Sequence, residues 1–136
     1  MRAVVWIIES RWEDCVDAVP EGADDVTLVH VAPGDVEALM RGPRLGHHRP
    51  PPPELDPHAV AGEAAEELLA EAAERLGRPA RTEARSGRAE HEVIAAIEGA
   101  DLLVLARDGE PHPGPKSLSP RTRFVVDHAT CAVLLV

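Results

Sequence analysis

Apolar positions in this chain fall into short continuous runs, and the stretches between them carry a helical period. Ala3 to Ile8 (AVVWII), Val26 to Ala32 (VTLVHVA), Leu102 to Ala106 (LLVLA) and Ala132 to Val136 (AVLLV) are strand-length runs. Such runs suit strands covered on both faces. Ala80 to Arg85 instead alternates small and charged residues, which predicts an edge or near-edge strand. Between the runs, Cys15, Val16 and Val19 share one side of a short helix over Trp12–Val19, stopped by Pro20. Ala61, Ala65, Leu68, Leu69, Ala72 and Leu76 mark a longer helix that Asp56-Pro57 opens and Gly77 and Pro79 close. Glu71 and Arg75 stand four apart on it, in the favourable order for an ion pair. Ala89 to Ile97 is a third helix, with Val93, Ile94 and Ile97 inward, and Pro120 to about Asp127 a fourth.

Strands alternating with helices predict an α/β fold. The expected form is a three-layer sandwich: an open five-stranded parallel sheet, Rossmann-like, with helices on both faces. The chain of 136 residues suffices for one domain with a core. The least regular part runs from Pro33 to Asp56. Asp35 to Met40 has room for one helical turn, and an excursion over about 41–56 contains four consecutive prolines, Pro50 to Pro53. That run favours polyproline II geometry on the surface. The adjacent His47 and His48, with His58, lack a fixed metal-ligand spacing. His30, in mid-strand, reads as a hydrogen-bonded strand residue.

Charge and composition narrow the partners. The formal net charge of −10 argues against nucleic acid or an anionic membrane, both of which reward a basic footprint. No run approaches a membrane span and no signal peptide precedes the first strand, so a cytoplasmic protein is expected. Two cysteines, Cys15 and Cys131, form no paired-thiol motif, and Cys131 reads as a small buried hydrophobe.

Candidate chemistry gathers before the last helix. Ser119-Pro120 has the grammar of a helix start, a hydroxyl N-cap followed by proline. Lys116, Arg121 and Arg123 surround it, although cations at a helix N-terminus oppose the dipole. A bound anion would account for them. Backbone amides after Ser119, with the Ser117, Ser119 and Thr122 hydroxyls, are the groups to hold it. Ligands in parallel sheets sit beyond the strands' carboxyl ends, where Glu9, the loop after Pro33, and Arg107 onward fall. No Ser/His/acid set, Walker lysine motif or GxGxxG occurs, and no base or metal carboxylate beyond Glu9 supports hydrolysis.

VTLVHVAP (Val26 to Pro33), ADLLVLARDG (Ala100 to Gly109) and SLSPRTRFVVDHATCAVLLV (Ser117 to Val136) carry a family likeness. The chain resembles small universal stress proteins of the UspA type along essentially its whole length. The resemblance implies the adenine nucleotide alpha hydrolase-like fold and an adenosine-nucleotide site at the strand ends. It also implies a homodimer formed by antiparallel pairing of the last strands. Nucleotide-binding members carry G-x2-G-x9-G-[ST]; here the three glycine positions fall at Ala106, Gly109 and Ser119, and the hydroxyl position at Pro120. A further hydroxyl position falls at Thr122, and the acidic residue after the first strand at Glu9. By that resemblance Glu9 would contact the ribose or adenine side and Val31 with nearby main chain would border the base. Gly109, Ser119, Arg121 and Thr122 would hold phosphates, with Ala106 at the first glycine position. The implied ligand is ATP or another adenine nucleotide, with a Mg²⁺ requirement left open. The implied role is regulatory or stress-associated, and the alternative is a dimeric adaptor of the same fold that binds no nucleotide and contacts a protein partner.

Overall fold

The computed structural model describes residues 1–33, 57–107 and 118–136. The expected turn at Asp35–Met40, the prolines 50–53, His47, His48, Gly109, Lys116 and Ser117 lie outside the described residues, as does the His58 side chain. The elements run β1 (Arg2–Trp6), α1 (Trp12–Asp17), β2 (Asp25–Pro33), α2 (Pro57–Leu76), β3 (Arg81–Gly87), α3 (Ala89–Ala96), β4 (Leu102–Leu105), α4 (Pro120–His128) and β5 (Ala132–Leu135). All pairings are parallel, and the strand order is β3-β2-β1-β4-β5. This is the predicted open five-stranded α/β sheet.

Alternation along the strands divides the core in two. Ala3, Val5, Ile7, Val26, Leu28 and Val104 pack with Cys15 and Val16 of α1 and Leu69 and Ala72 of α2. Val4, Trp6, Val29, Val31, Leu103 and Leu105 pack on the other face with Val93 and Ala96 of α3 and Val125 of α4. Each face therefore carries two of the four described helices. β3 is an edge strand, as its charged alternation predicts, and Arg81 and Arg85 on it pair with Asp25 and with Glu83 and Glu92.

Several element ends differ from the sequence expectation by a residue or two, each with a local cause. β1 stops at Trp6, where its register with Val29 ends, although the Ile7 N–H still donates to the Val29 carbonyl at 2.7 Å. α1 stops at Asp17 because the Val19 N–H turns to the Val16 carbonyl, tightening the last turn. α2 ends where the pattern places it, with Gly77 at φ 69°, a conformation that favours glycine. The expected Glu71–Arg75 pair is displaced. Arg75 instead reaches α1 and makes a bidentate contact with Asp17, Nε to Oδ1 at 2.8 Å and Nη2 to Oδ2 at 2.7 Å. The guanidinium holds the Asp17 carboxyl below its ordinary range. A planar fork matching a carboxylate across two helices outcompetes a neighbour on its own helix.

Cys15 is fully buried, and desolvation pushes its thiol up to about 11, so it is a packing residue. Cys131 is half-buried, not buried as expected, because it leads into β5, the edge strand, which among the described residues pairs with β4 alone.

Thr27 and Thr122 are the buried polar residues among the described ones, and Thr27 is the one whose hydroxyl lacks a hydrogen-bond partner there. It is 2% exposed and pairs in register with Val4 and Arg81. An unsatisfied buried hydroxyl costs stability, whereas an apolar group of the same shape does not. Thr27→Val should therefore raise the unfolding free energy by about 1 kcal/mol in urea titration. A loss of stability would show that the hydroxyl is satisfied.

Candidate functional site

The strand order reverses between β1 and β4: the chain builds β2 and β3 on one side of β1, then returns to build β4 and β5 on the other. In open parallel sheets the crevice beyond the carboxyl ends at such a point receives the ligand. The paired registers end at Trp6 with Val29 and at Val5 with Val104, and the Ile7 N–H still reaches the Val29 carbonyl beyond them. The exits of β2, β1 and β4 thus reach the rim together, with the exposed Glu9 and Ser10 just beyond β1.

The Ile7 carbonyl accepts a hydrogen bond from His30 Nδ1 at 2.8 Å. A carbonyl only accepts, so this contact places a proton on Nδ1 and, in the neutral ring, leaves Nε2 as an acceptor. His30 is the hydrogen-bonded strand residue expected from sequence, and its imidazole ties β2 to β1 where their register stops. Arg11, next along the β1–α1 connection, is committed to Asp14 through Nε at 3.3 Å and Nη2 at 3.0 Å. The Arg107 N–H donates to the Val136 carbonyl at 3.1 Å, so that amide belongs to the sheet.

Ala106 and Val31 are both buried, on opposite faces. The Ala106 methyl joins the cluster under α1 and α2, and Val31 joins the one under α3 and α4. What these two positions present to the rim is main chain.

At the start of α4 the predicted cap is present. Ser119 is the N-cap and Pro120 the first helical residue. Ser119 Oγ accepts from the Thr122 N–H at 3.3 Å and donates to Thr122 Oγ1 at 3.0 Å, and the Ser119 carbonyl accepts from the Arg123 N–H at 2.9 Å. Thr122 is 6% exposed, its hydroxyl turned to its own cap. Arg121 and Arg123 are exposed and form no ion pair among the described residues. Two residues apart on a helix, they leave from different sides and do not converge on one point. Among the described residues the rim therefore offers one acceptor-bearing acid, Glu9, main chain at three strand exits, and two diverging guanidiniums. Among the described residues no group of three or more His, Cys, Asp or Glu is arranged to hold a metal ion. No described helix is long and apolar enough to cross a membrane.

Sequence reasoning placed Glu9, Val31, Ala106, Ser119, Arg121 and Thr122 near this rim but had no means of seeing which groups are already committed. It also missed Arg78. That guanidinium binds backbone carbonyls of the α1–β2 connection, and no motif announces it.

Comparison with known proteins agrees with this architecture. UspA from Lactobacillus plantarum matches at 21% identity, over 100% of this chain and 97% of that one, with a TM-score of 0.64. A universal stress protein solved in complex with cAMP matches at 16% identity, over 100% and 95%, with a TM-score of 0.66. A universal stress protein family member from Arabidopsis thaliana with AMP bound matches at 15%, over 100% and 90%, with a TM-score of 0.62. No curated protein sequence matches the chain. At these identities the structural likeness speaks for the fold alone, and the family is settled by a sequence model that covers most of the chain. The model of the universal stress protein family matches residues 13–136, and the chain belongs to that family.

Proposed function

We propose that the protein is a regulatory, cytoplasmic universal stress-type protein that binds an adenine nucleotide in the crevice between the carboxyl ends of β1 and β4. The observation that carries this reading is the convergence of three strand exits, with Glu9 beyond the central one, at the sheet's topological switch point. A carboxylate there is suited to accept hydrogen bonds from ribose hydroxyls, and main chain at Val31 and Ala106 is suited to border a flat base. Two structural neighbours hold AMP or cAMP, each with a single phosphate, which supports an adenine nucleotide as the ligand class.

Isothermal titration with adenosine, AMP, cAMP and ATP tests the reading. Binding is expected, and Glu9→Ala should weaken adenosine binding about tenfold or more, the scale of a lost hydrogen bond to a charged group. Glu9 is exposed, so the variant should keep its thermal midpoint. Absence of heat with all four ligands would sink the proposal and leave the adaptor of the same fold.

We also propose that the protein works as a homodimer through β5. This strand pairs only with β4 among the described residues and presents Ala132 and Leu134 to solvent. An unpaired apolar edge is a template for a second copy.

A further inference from the structure

We infer that His30 is a positioning residue for the crevice: by hydrogen-bonding the Ile7 carbonyl it lets β1 part from β2 one rung early, which keeps the Val31 N–H out of the ladder and open to a ligand. The ligand in this inference rests on the nucleotide-binding proposal, but the role of His30 is tested without one.

The described β1–β2 ladder ends where the Ile7 N–H donates to the Val29 carbonyl at 2.7 Å. Main-chain groups two residues apart on a strand point the same way, so the Val31 N–H faces β1 as the Val29 carbonyl does. A parallel ladder carried one rung further would bond the Val31 N–H to the Ile7 carbonyl. The register stops short of that rung, at Trp6 with Val29. The Ile7 carbonyl nevertheless needs a donor. Ile7 is 0% exposed, so water does not reach this oxygen, and a buried carbonyl without a partner is costly.

His30 supplies the donor, with Nδ1 at 2.8 Å from the Ile7 oxygen. No bond from the Val31 N–H to the same carbonyl accompanies it among the described residues. The imidazole comes from β2, the strand that β1 is leaving, and it is half-buried. A side chain reaches farther than a backbone amide, so it satisfies the carbonyl after the two main chains have separated. It also fixes the plane of the Ile7–Ile8 peptide, because that peptide carries the bonded oxygen. Glu9 follows directly, exposed at the rim. Without the imidazole, the carbonyl has the Val31 N–H as its nearest replacement donor, and taking it would close the ladder by a rung.

NMR scalar coupling between nitrogen and carbonyl carbon across hydrogen bonds, measured on the full chain, is the test. In the wild type the Ile7 carbonyl should couple to His30 Nδ1 and not to the Val31 nitrogen. His30→Phe keeps an aromatic ring and removes the donor. There the Ile7 carbonyl should couple to the Val31 nitrogen, and the Val31 amide should exchange with solvent about tenfold more slowly or less. His30→Asn puts an amide donor close to where Nδ1 stood and should restore the wild-type pattern. A residue that only filled space would be replaced better by Phe than by Asn. Adenosine affinity should fall about tenfold in His30→Phe, the scale of one lost hydrogen bond, and stay within about threefold in His30→Asn.

A wild-type coupling between the Ile7 carbonyl and the Val31 nitrogen overturns the inference. So does a folded His30→Phe whose Val31 amide is unchanged, or a His30→Asn that behaves as the Phe variant should. If His30→Phe does not fold, the wild type and His30→Asn decide by the same couplings. Adenosine is read separately: the expected couplings with no adenosine binding in any of the proteins support the role of His30 in parting the strands and reject the nucleotide proposal. Adenosine binding that ignores all three side chains, with the Val31 amide unmoved, does the reverse.

Discussion

Replacing Arg78 by alanine should lower the unfolding free energy by about 3 kcal/mol, the sum expected for charged hydrogen bonds lost and carbonyls left with poorer partners. Arg78 lies just past α2, and its guanidinium has no carboxylate partner among the described residues. It serves the backbone. Nη1 donates to the carbonyls of Glu21 and Ala23, both at 3.1 Å, and Nη2 to those of Pro20 at 2.7 Å and Val19 at 3.5 Å. These carbonyls belong to the turn that carries the chain from α1 into β2. The turn closes on itself through the Ala23 N–H, which donates to the Pro20 carbonyl at 3.0 Å, and the guanidinium adds the cross-link that ties it to the end of α2. Five donors in a rigid fork suit the task, and an ammonium does not reproduce them. Arg78→Lys should therefore recover only a minor part of the loss. For a chain of this size the alanine variant should melt roughly 10 °C below the wild type in calorimetry. A drop within about 1 °C would show that water replaces the guanidinium without cost.

Leu134→Lys should convert the proposed dimer to monomer at micromolar concentration. Leu134 is 37% exposed on β5, an edge strand whose free side carries no other described element. Two-fold pairing of that edge would place both copies of the substitution in one interface, where two ammonium groups must be desolvated together. Lysine on an edge strand is also the common natural block to such pairing. Sedimentation should give twice the chain mass of 14.6 kDa for the wild type and the chain mass for the variant. The change lies on the solvent side of the sheet edge, so the monomer should keep its circular dichroism. A wild type that sediments as monomer removes the dimer, and a variant that stays dimeric moves the interface elsewhere.

Ser119 shows where local pattern stops being informative. Ser-Pro before an apolar period announces a capped helix, and that reading is correct because N-capping involves atoms within three residues of one another. Whether the cap leaves amides open for an anion depends on the rotamers of Ser119 and Thr122, which follow from Thr122 being buried. Arg75 makes the same point in the opposite direction. Its i,i+4 neighbour Glu71 is visible in sequence, but its partner in the fold is Asp17, brought close only when α1 and α2 pack on the same face of the sheet. Sequence spacing describes pairs within an element and is silent about pairs between elements.

By itself the sequence determined the alternation of strands and helices, the ends of α2, the edge character of β3 and the cap of α4. Each of these is a local matter of period, turn residues or hydrogen bonds along a few residues of chain. The tertiary structure alone decided that β4 returns to the far side of β1. That return creates the switch point and aligns the exit of β4 with those of β2 and β1, whose own pairing sets His30 against Ile7. The physical reason is range: a propensity acts over one or two turns of chain, whereas the crevice is made of residues up to a hundred positions apart, joined only when both faces of the sheet are buried.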